Sequence, residues 1–426
     1  MTINNGSMSF LRRKIVRPLL QYIRLRLDIV CYSIRLSKIL KNKQKKEKLK
    51  VVFFPINIGM WKNDHLFKLL QNDSRYDPYV ISFFVPVDNP DFQRRNQEEM
   101  RTFFTNKGYP YYDMYDYEKN EWFNIESFQP DVVFYTQAVN VSYKRYNIQS
   151  LWNNCLFYYI PYCLLMEQET ITDNTLLFNI SMKVFAPSEF HKKYWSGFIN
   201  RGKNVVVTGY PSFDYLLDNS NVSCTKWKCN DGRKRVIWAP HHSITNNDLL
   251  SYSNFLEIAD SMVELAEKYQ DKMEFVFKPH PRLRPKLEQM DGWGVERTSE
   301  YYNKWAKMPN TNFVDGDYFD LFLTSDAMIH DCSTFMAEYL LTGKPVMFNM
   351  RDESAMNLNK YAKRCLEQHY IGCSLQDIEE FLNEIVLGGS DLMKSQRLEF
   401  IEKELKVGCH KSVAESIYSE IKKDLG

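Results

Sequence analysis

The sequence predicts an α/β protein: two doubly wound domains of parallel sheet and helix, preceded by a basic helical arm. Three observations carry that reading. The chain has 426 residues, too many for one ordinary hydrophobic core. Short apolar runs rich in Val, Ile and Phe alternate with segments of helical period, the pattern of parallel strands covered by helices. Residues 1–48 break that pattern and are crowded with Lys and Arg, opposed only by Asp28 and Glu47.

Composition narrows the class. Hydrophobic residues at 44% and charged residues at 25% describe a soluble globular protein. A net charge of +2 does not mark the whole chain as a nucleic-acid binder. Nine scattered cysteines argue for a reducing compartment without a disulfide framework. Cys224 and Cys229 lack the second ligand pair of a zinc site. There is no apolar run of about 18 residues to span a membrane, and the N-terminus lacks the apolar core of a signal peptide. Aromatic residues make up 15% of the chain; that share suits a protein handling sugars or polyols, and codon usage produces it equally well.

The arm comes first. Leu11, Ile15, Leu19, Ile23 and Leu27 recur every four residues, one stripe of a helix that Pro18 kinks or restarts. Arg12, Arg13, Lys14, Arg17, Arg24, Arg26, Arg35 and Lys38 flank it, and Lys41, Lys43, Lys45, Lys46, Lys48 and Lys50 follow. A basic amphipathic helix with a polybasic tail reads as an anchor on an anionic membrane surface; packing of the stripe on the protein's own body is the competing reading.

The first domain spans 49–217. Strands are expected at 50–55, 79–85, 109–112, 132–135, 156–159, 183–186 and from Val205, with helices at 61–72 and 92–107. The GxGxxG fingerprint of a dinucleotide site is absent. His65, shortly after the first strand, is a candidate general base. Glu167 and Glu169, after the strand that ends at Tyr159, are candidate cleft carboxylates. The polar stretch 218–235 reads as an interdomain linker.

The second domain spans 218–426 and holds the strongest pattern. Four strands end in polar residues: His241 and His242 after 235–240, Lys278 and His280 after 273–277, Asp315 and Asp317 after 312–314, and Asp331, Ser333 and Thr334 after 327–329. In a parallel sheet such ends meet on one rim, where ligands bind. Asp331, Ser333 and Thr334 suit a helix N-terminus, which attracts phosphate; simple capping is the alternative. Asp315-Gly316-Asp317 looks like a metal-binding DxD, but a turn explains it better, and no metal site is expected elsewhere. Gly343 fits a helix stop before the strand at 346–348.

These motifs resemble a known family. Lys278-Pro279-His280-Pro281, then Ser325-Asp326-x-x-Ile329-x-Asp331-x-Ser333-Thr334, then Gly343-Lys344-Pro345-Val346 are similar to the CDP-glycerol glycerophosphotransferases, the teichoic-acid polymerases and primases. Thr208-Gly209-Tyr210-Pro211-Ser212-x-Asp214 resembles their Gly-x-Pro-Arg-x-Asp stretch, without its Arg. Ala239-Pro240 matches their Ala-Pro-Thr turn, with His241 and His242 following. The likeness covers residues 180–350. The family's Trp-His-Gly stretch, whose His acts as base, has no match; Tyr158 to Met166 occupies its place without a His.

The resemblance implies a GT-B-like fold of two Rossmann-like domains facing a cleft, with the nucleotide donor on the C-terminal domain and the acceptor on the N-terminal one. It also implies peripheral attachment to the inner face of the cell membrane. The expected function is transfer of glycerol phosphate, or a related polyol phosphate, from a CDP-activated donor to a membrane-linked glycan or lipid in cell-surface polymer synthesis. In that scheme His280, His65 and Glu167 are catalytic, and Ser333, Thr334, Asp331, Lys278, His241 and His242 bind the donor's phosphates. No cofactor is expected. A glycosyltransferase using a nucleotide sugar, a nucleotide-sugar 2-epimerase and a non-catalytic nucleotide- or glycan-binding relative are the alternatives.

Overall fold

A computed structural model describes residues 16–83, 90–137, 146–168, 174–218, 222–245, 252–351, 357–406 and 412–426. Within these, the chain packs as two compact units. One comprises Met1–Tyr162, Thr170–Tyr210 and His410–Gly426, the other Cys163–Glu169 and Pro211–Cys409. The closing helix Val413–Leu425 therefore belongs to the first unit, and the short piece carrying Glu167 to the second.

The first unit is built on β1 (Leu49–Phe54), β2 (Tyr76–Ile81), β3 (Tyr111–Tyr112), β6 (Val132–Tyr135), β7 (Leu156–Tyr159), β8 (Lys183–Ala186) and β9 (Val205–Val207), in spatial order β3-β2-β1-β6-β7-β8-β9. All pairings are parallel. The central strands are apolar throughout because both faces are covered: Val52, Phe53, Val133 and Phe134 are fully buried, and the rings of Phe53 and Phe134 stack at 4.6 Å. The second strand starts earlier than its apolar run, because Leu49 pairs with Tyr76 and its N–H bonds Arg75 O. A small antiparallel hairpin, β4 (Tyr115–Asp116) with β5 (Glu121–Trp122), has no counterpart in the expected elements; its cross-strand Tyr115–Trp122 ring contact, 4.9 Å, holds it.

The arm helix, Arg17–Gln44, begins with Pro18 in its first turn, where the missing N–H costs nothing. Leu11 and Ile15 lie outside the described residues. Two opposite faces of this helix are apolar. Tyr32 and Ile39 are buried, and the Tyr32 hydroxyl donates to Cys155 O. The helix packs there on β7 and on the helices Leu176–Ile180 and Val413–Leu425. About 200° around, at 100° per residue, Leu20, Ile23, Leu27, Val30 and Ile34 stand exposed, at 58%, 45%, 60%, 54% and 75%. The expected stripe (Leu19, Ile23, Leu27) is on this outer side; a second stripe does the packing. Lys43 and Lys46 clamp the buried carboxylate of Asp131 at 2.6 and 2.5 Å, and Arg75 caps the last carbonyls, Lys43 O and Gln44 O. Among the described residues no helix is long and apolar enough to cross a membrane.

The second unit carries β10 (Lys234–Ala239), β11 (Met273–Phe277), β12 (Thr311–Phe313), β13 (Ala327–His330), β14 (Val346–Asn349) and β15 (Tyr370–Gly372), in the order β12-β11-β10-β13-β14-β15, again parallel. Its core sets Trp238 and Phe277 against Phe255, Tyr301 and Trp305 from the helices Phe255–Lys268 and Gly294–Lys307. The last strand is a three-residue edge with Ile371 exposed, which is why no apolar run announces it. The presumed linker is fixed to this unit: Trp227 is buried, donates to Thr324 Oγ1, and the adjacent N–H groups of Lys228 and Cys229 bond the buried carboxylate of Glu274. Gly343 stops the turn Tyr339–Thr342 at φ +70°, as its position predicts.

Candidate anion-binding site

Strand register builds the site. Ala239 of β10 lies opposite His330 of β13, and Trp238 opposite Phe277 of β11. The residues that follow, His241, Lys278 and Asp331, thus leave the sheet side by side at its carboxyl edge, where parallel sheets hold ligands. His280 N–H bonds Pro240 O at 2.9 Å, which carries the β11 loop back over the β10 loop.

Three imidazoles meet there. The His242 ring lies 4.3 Å from both His241 and His280, and His241 lies 4.9 Å from His280. His241 is buried; His242 and His280 are half-buried. Burial first, then the neighbouring His242 and His241 and the cations Lys278 and Arg282, hold His280 well below its ordinary 6.5, so it is neutral near pH 7. The Ser243 N–H donates to His241 Nδ1 at 3.2 Å, and the Arg282 N–H to His280 Nδ1 at 3.1 Å. A nitrogen that accepts a backbone N–H carries no proton. In the neutral His280 ring the proton is therefore on Nε2, which makes Nε2 a donor; His241 Nδ1 also lies 2.8 Å from Ser243 Oγ, a contact whose direction follows the tautomer.

Nitrogens of the three rings come within 4.8 Å of one another, close enough to hold a metal ion. A histidine bound through Nε2 has its proton on Nδ1 and gives it to an acceptor oxygen; at His280 that position faces the Arg282 N–H, and at His241 it lies 2.8 Å from Ser243 Oγ.

Asp331 was expected among the phosphate ligands, but its carboxylate is buried and turned to the protein. It accepts the His241 N–H at 2.5 Å, and Ser253 and the Asn254 N–H also bond it. Burial pushes it up to about 7 against these donors. Its role is to hold the histidine loop in place. Ser333 and Thr334 differ: both are half-buried, and neither hydroxyl has a hydrogen-bond partner among the described residues. They do not cap the helix. That helix is one α turn, Phe335–Glu338, continued by the 3-10 turn Tyr339–Thr342, so its dipole is small and the hydroxyls are the stronger attraction for an anion. Lys278 is buried with its ammonium 5.9 Å from the Tyr318 ring.

Glu167 sits in this same unit. It accepts the Tyr252 hydroxyl at 3.3 Å, Tyr252 N–H bonds Ser243 Oγ, and the Tyr252 ring is 5.9 Å from His241. Glu169 lies outside the described residues. His65 belongs to the first unit, half-buried in the helix Asp64–Gln71, and is not part of the cluster. Asp315 and Asp317 bond the N–H groups of Gly316 and Phe319, so the turn reading of this DxD holds.

Two residues beside the site went unread: Tyr318, whose hydroxyl donates to the fully buried Glu338 at 2.7 Å, and Glu338 itself. The one signal was a carboxylate inside an otherwise apolar run, Phe335 to Leu341. His330 and His369 form a further buried pair, rings 5.3 Å apart, both held well below 6.5 by burial.

Known proteins give this geometry a context. The model of the family described as CDP-Glycerol:Poly(glycerophosphate) glycerophosphotransferase matches residues 167–406. The teichoic acid ribitol-phosphate polymerase TarL of Staphylococcus aureus is 25% identical over 161 residues, covering 36% of this chain and 26% of TarL. The teichoic acid poly(ribitol-phosphate) polymerase of Bacillus spizizenii is 27% identical over 173 residues, covering 39% and 26%. The matches thus span about a quarter of these relatives' length. Among solved structures, the wall teichoic acid polymerase TagF soaked with CDPG aligns with TM-score 0.54 and 12% identity over 95% of this chain and 98% of that one. S. aureus MnaA with UDP aligns with TM-score 0.56 and 13% identity over 89% and 97%. At such identities these two share the fold, a GT-B-like pair of Rossmann-like sheets. With the family model covering the whole second sheet and every residue of the histidine cluster, the chain belongs to the CDP-glycerol:poly(glycerophosphate) glycerophosphotransferase family.

Proposed function

We propose that the chain transfers a polyol phosphate, glycerol phosphate foremost, from a CDP-linked donor to a membrane-linked glycan or lipid during cell-surface polymer synthesis. The observation that carries this reading is that the His241–His280 pair, after β10 and β11, and the open hydroxyls of Ser333 and Thr334, after β13, stand at the ends of neighbouring strands on the carboxyl edge of a sheet the family model covers. TagF, of the same fold, was solved after soaking with CDPG.

The chemistry follows from those groups. The donor's diphosphate accepts from Nε2–H of His280, from the His241 ring and from the Ser333 and Thr334 hydroxyls, while Lys278 supplies the near positive charge. Attack by the acceptor hydroxyl falls on the β-phosphorus; the P–O bond to CMP breaks, and the fixed donors stabilise charge on the leaving phosphate. The acceptor's proton goes to a base, for which His65 and Glu167 are the candidates. Preorganised hydrogen bonds of this kind supply roughly 3–4 kcal/mol each in known sites. Attachment to the cytoplasmic face of a membrane rests on the outer stripe of the arm helix and its Arg and Lys flanks.

A donor screen tests the reading. Nucleotide release is measured with CDP-glycerol, CDP-ribitol, UDP-N-acetylglucosamine and GDP-sugars, with and without a lipid-linked acceptor. Acceptor-dependent CMP release is the expected outcome. Release of UDP or GDP means a glycosyltransferase. Conversion of UDP-N-acetylglucosamine without any acceptor means an epimerase.

A further inference from the structure

We infer that His330 is a positioning residue for donor binding: its ring turns the chain after β13 so that the Ser333 and Thr334 hydroxyls stand open at the strand end. This rests on the proposed donor site and adds the residue that shapes it. Three neighbouring strands finish on the same device. His241 after β10, His280 after β11 and His330 at the end of β13 each accept, on ring Nδ1, the N–H two residues further on: Ser243 at 3.2 Å, Arg282 at 3.1 Å and Cys332 at 3.2 Å. Asn and Asp side chains bend their own backbone by this bond in turns; here imidazole makes it.

At His241 and His280 the ring also belongs to the cluster, so turning the chain and meeting a ligand fall on one side chain. His330 separates the two. It is 1% exposed, with Phe348 and His369 at 5.3 Å and Phe335 at 6.3 Å around its ring, and it can touch no donor. Its Nε2 is buried without a partner among the described residues. Such a group costs stability, so an apolar side chain would serve the core better. What the ring supplies in return is the Nδ1 acceptor. Cys332, whose N–H it holds, is tied again through Sγ to Ala239 O at 3.3 Å, and Asp331 is tied to the His241 N–H. Those two residues are buried and pinned; Ser333 and Thr334, the next two, are the first to reach the surface.

Calorimetric titration of the full chain with CDP-glycerol at one pH, without acceptor, tests this on three variants. His330→Asn keeps an acceptor where Nδ1 stands and should bind within about threefold of wild type. His330→Gln carries its amide out to the Nε2 position and His330→Leu carries none; both should bind about tenfold more weakly. Because the residue acts through the two hydroxyls, His330→Gln should cost less than about twofold more in a Ser333→Ala/Thr334→Val background. Thermal melts accompany each titration, and if the Leu variant does not fold, Asn against Gln decides alone. Equal weakness of Asn and Gln, wild-type affinity in both, or an undiminished loss in the double-variant background would overturn the inference and leave the donor site standing. If wild-type protein binds no CDP-glycerol, the donor-site reading itself falls, and this inference with it.

Discussion

The carboxylate of Asp331 holds the backbone N–H of His241 across 90 positions of sequence. Two strand ends that the register places side by side are thereby locked together, and the imidazole cluster depends on the lock. Asp331→Ala removes the acceptor and leaves the His241 N–H buried and unmatched, at a cost of about 1–3 kcal/mol. The expected result is a lowered Tm and weaker CDP-glycerol binding, read by thermal melts and titration. Asp331→Asn keeps an oxygen at that place and should retain most of both.

The same residue gives a pH dependence of definite sign. Its folded value is raised to about 7 from an ordinary 3.8, so its stabilising contribution is complete below 3.8 and is lost as pH rises through 7. Asp331→Asn should therefore gain stability relative to wild type above pH 7. Denaturant melts on either side of neutrality check this; a constant difference between the two proteins would refute it.

His330 and His369 act in the opposite direction. Their folded values lie below 6.5, His369 at about 3. The stability tied to their neutral forms is present above 6.5 and lost as pH falls toward the folded values, at up to about 1.4 kcal/mol per pH unit for each ring. His369→Gln should flatten the acid side of the stability profile, measured by urea unfolding between neutral and mildly acidic pH.

Ser333→Ala and Thr334→Val remove hydroxyls that bond nothing in the described protein. Melting should shift little, within the ±0.5 kcal/mol usual for such changes. Donor KM should rise about tenfold for a lost hydrogen bond to a charged group. A large drop in Tm with unchanged KM would make these residues structural.

Membrane attachment is best tested on the outer face of the arm helix. Deleting residues 1–48 would also strip Tyr32, Ile39 and the lysine clamp on Asp131 from the body. Leu20→Glu and Leu27→Glu leave those contacts alone and should abolish co-sedimentation with vesicles containing phosphatidylserine. Undiminished sedimentation of the double variant would exclude this face as the anchor.

Most strands were legible because central parallel strands must be apolar on both faces; 132–135, 156–159, 183–186 and 273–277 lie where their apolar runs place them. The edge strand at Tyr370 and the Tyr115–Trp122 hairpin were not, since short edges carry no continuous run. At the candidate site, residue types singled out the polar strand ends, and the register explains why they converge. Side-chain direction was beyond the pattern: nothing in Asp331-Cys332-Ser333-Thr334 tells that the first turns inward while the hydroxyls stay open. The arm held a second surprise of this kind, because one stripe of Leu and Ile drew attention while Tyr32 and Ile39, on the far side, made the attachment.

A helix that is wall on one side and apolar surface on the other has a mechanical consequence. A tether on a slack linker lets its cargo tumble above a bilayer; here the part that would touch lipid is bolted to β7. Immersing the outer stripe would fix the heading of the first sheet and its height above the headgroups to within about one helix diameter, roughly 10 Å. Under the proposed function, a membrane-linked acceptor would then meet the same edge of the sheet on every encounter.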